Sequence, residues 1–226
     1  MQKKVSVIIN CYNGEKYLKE CVKSILRQNY QNIEIIFFDN CSTDNSKKII
    51  NEFGDNRIKY FFSPKKIPLY QARNEAIKNS TGELIAFLDV DDIWLDNFLL
   101  SRSNDFLNAK YDYFYSNTYL LFEKRNKIKI YRNNYLPSGK IYDYLVKDYF
   151  IIISGLVVKK EIFNKFGMFN QNYNIIGDYD FIMRISKLCY GLCNNSPLIF
   201  YRIHQNNFLK KNSKLFYEEY KDWYNN

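Results

Sequence analysis

Val5-Ser-Val-Ile-Ile-Asn-Cys-Tyr-Asn13 opens the chain with a short, almost wholly apolar run that turns polar at Asn10. Such a run reads as a strand buried on both faces, as in a parallel sheet. Tyr17, Leu18, Cys21, Val22, Ile25 and Leu26 then recur at helical spacing, which predicts an amphipathic helix from Glu15 to Gln28. The pattern repeats. Ile33 to Phe38 is a second strand, Ser42-Thr43-Asp44 offers cap chemistry for a helix through Phe53, and Arg57 to Phe61 is a third strand. A helix over Leu69 to Asn79 ends at Ser80-Thr-Gly82, and a fourth strand, Glu83 to Leu88, runs into Asp89-Val90-Asp91-Asp92. Strands alternating with helices predict an α/β fold with a mainly parallel sheet flanked by helices.

The second half is less regular. Phe98 to Leu107 reads as helical, Tyr111 to Tyr115, Tyr119 to Phe122 and Lys127 to Tyr131 as strands, and Ile151 to Val158 as a further strand. Phe181, Ile185, Leu188 and Cys189 form a helical stripe after Gly177-Asp178, and no repeat or low-complexity linker interrupts the chain.

The 226 residues include 33 Lys+Arg against 24 Asp+Glu, a formal net charge of +9, with 46% hydrophobic residues. That composition fits a chain with a core and excludes a disordered polyelectrolyte. The surplus positive charge has three ordinary readings: nucleic acid, an anionic membrane surface, or a phosphorylated small molecule. Five cysteines without a CxxC pair, and a single histidine, argue against a zinc site or a disulfide framework. The apolar run after Met1-Gln-Lys-Lys is too short for a secretory signal and none is long enough to span a membrane, so the expectation is a soluble, cytoplasmic protein.

Ligands of open α/β sheets bind beyond the carboxyl ends of the strands. Asn10 to Asn13, Asp39-Asn40 and Asp89 to Asp92 stand at three such ends and suggest one shared cleft. Neither GxGxxG nor GxxxxGK[ST] is present, so a bound nucleotide needs some other neutralising device. Two readings of the Asp-x-Asp-Asp cluster stand side by side: oxygen ligands for a divalent cation that meets a diphosphate, or a solvated turn with a helix cap.

Val5 to Asn13, Asp39-Asn-Cys-Ser-Thr-Asp44, Ala72-Arg-Asn74, Thr81-Gly-Glu83, Phe87-Leu-Asp-Val-Asp-Asp-Ile-Trp94 and Gly177-Asp-Tyr-Asp-Phe181 occur in the order seen in inverting glycosyltransferases of family 2. The resemblance covers roughly residues 4 to 204 and is strongest in the first half. It implies a GT-A fold: a single domain over 1–204, with 1–95 binding a nucleotide-sugar and 96–204 binding the acceptor, followed by an amphipathic helical tail at 205–226. Carried over by position, Tyr12 would stack on uracil and Asp39 would accept its N–H, with Asn10 and Val90 in the same donor-binding set. Arg73 would approach the base or diphosphate, Asp89 the ribose or donor sugar, and Asp91 would be the main ligand of Mn²⁺ or Mg²⁺.

Asp178 would be the base that takes the proton from the acceptor hydroxyl, within about 2.6 to 3.2 Å in the reactive pose. His204, in Tyr201-Arg-Ile-His204, would reach the metal or diphosphate. Plainer readings accompany each: Tyr12 as one aromatic among 21 tyrosines, Asp39 as the start of an Asx-turn, Arg73 as a solvated helix charge, Asp178 as a helix N-cap, His204 as a structural histidine. The family commonly has a second acid and a Gly after the first Asp, and a Glu before the base. This chain has Asn40, Cys41 and Gly177 there.

The activity implied is transfer of a hexose or N-acetylhexosamine from a UDP-sugar to a glycan or lipid-linked saccharide in surface polysaccharide or lipooligosaccharide synthesis. The three departures leave open a non-catalytic nucleotide-sugar or glycan binder. Phe208, Leu209, Leu215, Phe216, Tyr220, Trp223 and Tyr224 give the tail an apolar stripe, but its local charge is near neutral. It could lie at the cytoplasmic face of the inner membrane, pack on the chain's own core, or join a second subunit into a homo-oligomer. The acidic candidate residues demote nucleic acid as a partner.

Overall fold

A computed structural model describes residues 2–207 and 211–225. Its order is β1 (Val5–Cys11), α1 (Glu15–Leu26), β2 (Ile33–Asp39), α2 (Ser46–Asn51), β3 (Ile58–Phe62), α3 (Leu69–Lys78), β4 (Leu84–Phe87), β5 (Ile93–Trp94), β6 (Tyr113–Phe122), β7 (Lys127–Ile130), α4 (Tyr142–Lys147), β8 (Val157–Lys159), α5 (Lys160–Phe166), α6 (Gly177–Ser186), β9 (Gly191–Ile203) and α7 (Ser213–Asn225). The strands form one sheet in the order β3-β2-β1-β4-β8-β6-β9-β5, with β7 beside β6. Six run in one direction, while β5, β7 and β8 oppose them.

Both faces of the sheet are covered at β1, β2 and β4, which is why these strands read as unbroken apolar runs. Val5, Val7 and Ile9 face a core built with Leu18, Cys21, Val22 and Ile25 of α1. Ile8, Ile36 and Phe38 face the opposite core, with Tyr70, Ala72, Ala76 and Ile77 of α3 and Phe181, Ile182 and Ile185 of α6. At the amino end of these strands Glu34, almost fully buried, accepts from Ser6 Oγ, Lys59 Nζ and the Thr81 and Gly82 amides. Burial alone would raise its pKa, but these contacts hold it well below the usual carboxylate range. A Cβ at Gly82 would lie 2.8 Å from the Lys4 carbonyl, so the Thr81-Gly-Glu83 turn admits only glycine there.

Register sets the other end. Cys11 lies opposite Asp39 and Ile8 opposite Phe87, so Asn10, Asp39 and Asp89 leave the sheet at nearly one height.

Several expectations are corrected. Phe98 to Leu107 makes two 3₁₀ turns (Leu100–Arg102 and Asp105–Leu107), not a helix. The expected strands Tyr111–Tyr115 and Tyr119–Phe122 are one strand that starts at Tyr113, because Ser116-Asn-Thr118 continues the ladder through bulges against β9. Of Ile151–Val158, only the end is strand; Ile153–Gly155 is a 3₁₀ turn. The second helix starts at Ser46, and α6 stops at Ser186, leaving Leu188 exposed. Phe208 and Leu209 lie outside the described residues. The described part of the tail packs on the chain's own core, as shown below.

Candidate active site

The loops after β1 and β2 are sewn together before any ligand arrives. Asn13 Oδ1 accepts from the Thr43 amide (2.8 Å), Asn13 N–H donates to Ser42 Oγ (3.0 Å), and Gly14 N–H donates to Ser46 Oγ (3.0 Å). Glu15 and Asp44 exchange roles: the Glu15 amide donates to Asp44, and the Asn45 amide donates to Glu15. Asp39, 1% exposed, accepts from the Ser42 amide and the Tyr60 hydroxyl, both at 2.8 Å. It thus forms an Asx-type turn at the carboxyl end of β2. Asn40 clamps Ile67, donating to its carbonyl and accepting its amide, and Cys41 takes a left-handed φ of 66°. Tyr12 is half-exposed, with Lys66 Nζ 3.7 Å above its ring. Asn10 turns inward, and neither side-chain polar atom has a partner among the described residues.

The acidic turn is held by buried partners on every side. Arg73, 3% exposed on α3, donates to Asp89 at 2.5 Å, so it is not a solvated helix charge. Burial pushes the Asp89 carboxyl up, Arg73 draws it back, and the charges of Asp91 and Asp178 add to the rise. Val90 points into the protein: a Cβ at Gly14 would come within 2.8 Å of it and of Cys11 Sγ. Asp91 Oδ2 lies 2.9 Å from His204 Nε2. Because Asn206 N–H donates to His204 Nδ1, the neutral ring carries its proton on Nε2 and donates to Asp91. Asp92 is buried, accepting from Ser154 Oγ (2.5 Å) and the Arg202 amide (2.9 Å). Burial and its two acidic neighbours push its pKa far up.

Among the described residues, no three His, Cys, Asp or Glu side chains converge as a metal cage. Asp91 and His204 offer a carboxylate and an imidazole in contact. Two protein donors completed by phosphate oxygens and water suit Mg²⁺ or Mn²⁺, which seldom take an all-protein cage.

Asp178 sits in the first turn of α6, where Tyr70 donates to its Oδ1 at 2.6 Å. The neighbouring Asp180 is spoken for by Arg184, an i,i+4 ion pair at 3.0 Å. The loop before α6 is anchored by the tail. Glu219 of α7, 7% exposed, accepts from three successive backbone amides, Asn174 (2.6 Å), Ile175 (2.8 Å) and Ile176 (3.1 Å). Trp223 and Tyr220 pack around Tyr179, with ring centroids at 4.8 and 5.7 Å.

Asp178, Tyr70, Arg73 and Asp89 form one unbroken chain of contacts, with Arg73 5.0 Å from the Tyr70 ring centroid. The sequence pattern did not single out Tyr70, Ser154 or Glu219. Tyr70 lies one helical turn before Asn74, whose amide clamps the Phe169 backbone, so that a helix-face reading of α3 would have found it. Glu219 binds amides more than forty residues away and leaves no local signal.

Residues 6–182 match the family model described as glycosyl transferase family 2. The UDP-Glc:alpha-D-GlcNAc-diphosphoundecaprenol beta-1,3-glucosyltransferase WfgD of Escherichia coli is 33% identical over 72% of this chain and 62% of its own length. WfaP of the same species, which bears the same description, is 32% identical over 88% of this chain and 77% of its own. An uncharacterized Rickettsia conorii glycosyltransferase is 33% identical over 92% of this chain, which spans only 35% of that protein. Among solved structures, S. aureus TarS 1-349 in complex with UDP-GlcNAc superposes with a TM-score of 0.76 at 19% identity, covering 90% of this chain and 60% of that one. The Pyrobaculum calidifontis mannosyltransferase PcManGT, in complex with GDP-Man and Mn²⁺, gives 0.71 at 13% identity, covering 98% and 65%.

Proposed function

The chain belongs to glycosyl transferase family 2 and has a GT-A fold, and on that premise we propose that it transfers a hexose or N-acetylhexosamine from a UDP-sugar to a lipid-linked saccharide or growing glycan, with inversion. The observation that carries this reading is the contact chain from Asp178 through Tyr70 and Arg73 to Asp89, which joins the carboxylate suited to acceptor activation to the acidic turn suited to the donor. Relatives described as acting on a diphosphoundecaprenol acceptor support the lipid-linked choice, and the UDP-GlcNAc complex of TarS supports the donor class.

In this reading the uracil lies between Tyr12 and Asp39, and Lys66 leaves the Tyr12 face as the base arrives. Asn10, whose amide is buried without a partner among the described residues, backs the donor pocket from the end of β1, and Val90 contributes its backbone while its side chain fixes the turn. Arg73, paired with Asp89 at 2.5 Å, opposes the rise that burial imposes on that carboxyl, and Asp89 accepts from the ribose or sugar hydroxyls. Asp91 and His204 hold Mn²⁺ or Mg²⁺, whose chemistry is to neutralise the diphosphate as it departs. To ligate there, His204 would present the Nε2 lone pair with its ring proton on Nδ1, in place of the Asn206 contact.

Tyr70 occupies one oxygen of Asp178 and leaves the other for the acceptor hydroxyl. As that oxygen bonds to the anomeric carbon, its proton passes to Asp178, and the bond from the anomeric carbon to the diphosphate breaks on the opposite side. The reading of a non-catalytic binder rested on Asn40, Cys41 and Gly177. All three have structural partners: Asn40 clamps Ile67, Cys41 Sγ donates to the Pro64 carbonyl, and Gly177 makes room for Tyr70.

The test is UDP release from UDP-sugars with Mn²⁺, with and without EDTA and with Asp178→Asn. Loss of turnover in both is expected. Turnover that survives EDTA removes the metal, and turnover that survives the substitution removes the base.

A further inference from the structure

The β6–β7 hairpin stands outside the cleft and is open to solvent in an unusual way. Every residue of β7 is exposed, Ile128 at 52% and Ile130 at 45%. The antiparallel register sets Ile130 opposite Tyr119 and Ile128 opposite Leu121, so these four share one face. Tyr119 in turn stacks on Phe200 of β9, centroids 5.2 Å apart, which carries the apolar face across a third strand. Cations flank it, Lys124 and Arg125 at the hairpin turn and Lys127 and Lys129 alternating onto the other face of the same exposed strand. Lys124, Arg125, Lys127 and Lys129 are exposed, and none forms an ion pair among the described residues. The one acid at the turn, Glu123, is occupied by Lys16 Nζ (2.9 Å) and the Tyr17 hydroxyl (2.9 Å).

We propose that this hairpin docks the protein on an anionic lipid bilayer, with the Ile128–Ile130 face at the headgroup boundary and the surrounding cations on lipid phosphates. An apolar patch fringed by unpaired cations on long apolar stems matches a surface that is itself apolar beneath and anionic above. A second copy of this chain paired along β7 would set Lys127 and Lys129 against their own equivalents, a like-charge contact that opposes it. The hairpin also has a useful position. Lys124 lines, with Lys16, Tyr17, Glu123, His204 and Asn206, a recess of about 300 Å³, so docking brings the His204 end of the cleft to the membrane. The value of that placement rests on the lipid-linked acceptor proposed above, but the docking itself does not.

The experiment is sedimentation of the full chain at low salt with vesicles of phosphatidylglycerol and phosphatidylcholine, or of phosphatidylcholine alone. Binding to the anionic vesicles only is expected. Reversing Arg125, Lys127 and Lys129 to Glu lowers partition by at least about a hundredfold, since the loss of each cation near an anionic surface alone costs roughly fivefold. Ile128→Ser with Ile130→Ser lowers it by roughly tenfold. All these positions are exposed, and both variants keep UDP release on a water-soluble acceptor. Failure of the wild-type chain to bind anionic vesicles, or equal binding by both variants, overturns the proposal. A dimer in solution that the charge reversal abolishes, without vesicle binding, replaces it with a second copy. Absence of UDP release from every form counts against the transferase reading and leaves the vesicle result standing on its own.

Discussion

The ring of Tyr70 fills the space that a side chain at position 177 would need: a Cβ on Gly177 would lie 2.5 Å from two of its ring carbons. The same tyrosine holds Asp178 through its hydroxyl, so the missing Glu of the family pattern and the orientation of the next residue are one arrangement. Gly177→Ala should therefore force Tyr70 aside, costing about 1–3 kcal/mol, and lower UDP release more than that loss of stability explains. Tyr70→Phe keeps the packing and removes only the hydroxyl. It should lower turnover about tenfold while lowering the unfolding free energy read from urea unfolding by only about 1 kcal/mol.

Glu219→Gln gives the 174–176 loop one acceptor oxygen where it had two, and turns an NH₂ towards backbone donors. A loss of about 1–3 kcal/mol in stability is expected, together with a fall in turnover. Urea unfolding and UDP release measured on the same preparation check it; an unchanged midpoint would remove Glu219 from the account.

Cys41 holds a left-handed backbone at φ 66°, where a side chain is strained. Cys41→Gly should stabilise the chain by about 0.5–1 kcal/mol, read as a higher melting temperature. Substitution by Val, branched at Cβ, should do the reverse.

Glu34 supplies a pH signature. Its folded pKa lies below the unfolded value of about 4.3. Its contribution is therefore complete above that value and drains away as the pH falls beneath it towards the folded pKa. Glu34→Gln should cost about 3 kcal/mol at pH 7. The gap between wild type and variant in urea midpoint should narrow on acidification below about pH 4. A gap that stays constant to pH 3 would show that ionisation of Glu34 is not what matters.

The first half of the fold was legible because β1, β2 and β4 are buried on both faces and announce themselves as apolar runs between helical stripes. The second half hid its strands. Ser116-Asn-Thr118 and Asn194-Asn-Ser-Pro197 look like turns, yet both lie within long strands that bulge against each other. Inside β6, Asn117 donates to the Arg132 carbonyl, a long-range use of a polar side chain that local pattern cannot show. In the site, residues projecting from strand ends were legible. The side chains that orient them were not: Ser154 acts on Asp92 from a 3₁₀ turn and Tyr70 on Asp178 from a different helix.

Glu219 also imposes an order in time. The chain emerges from the ribosome from its amino end. The amides of residues 174–176 wait for an acceptor that is synthesised more than forty residues later. On a nascent chain the loop before Asp178 thus gains these three contacts only after translation has passed helix α7.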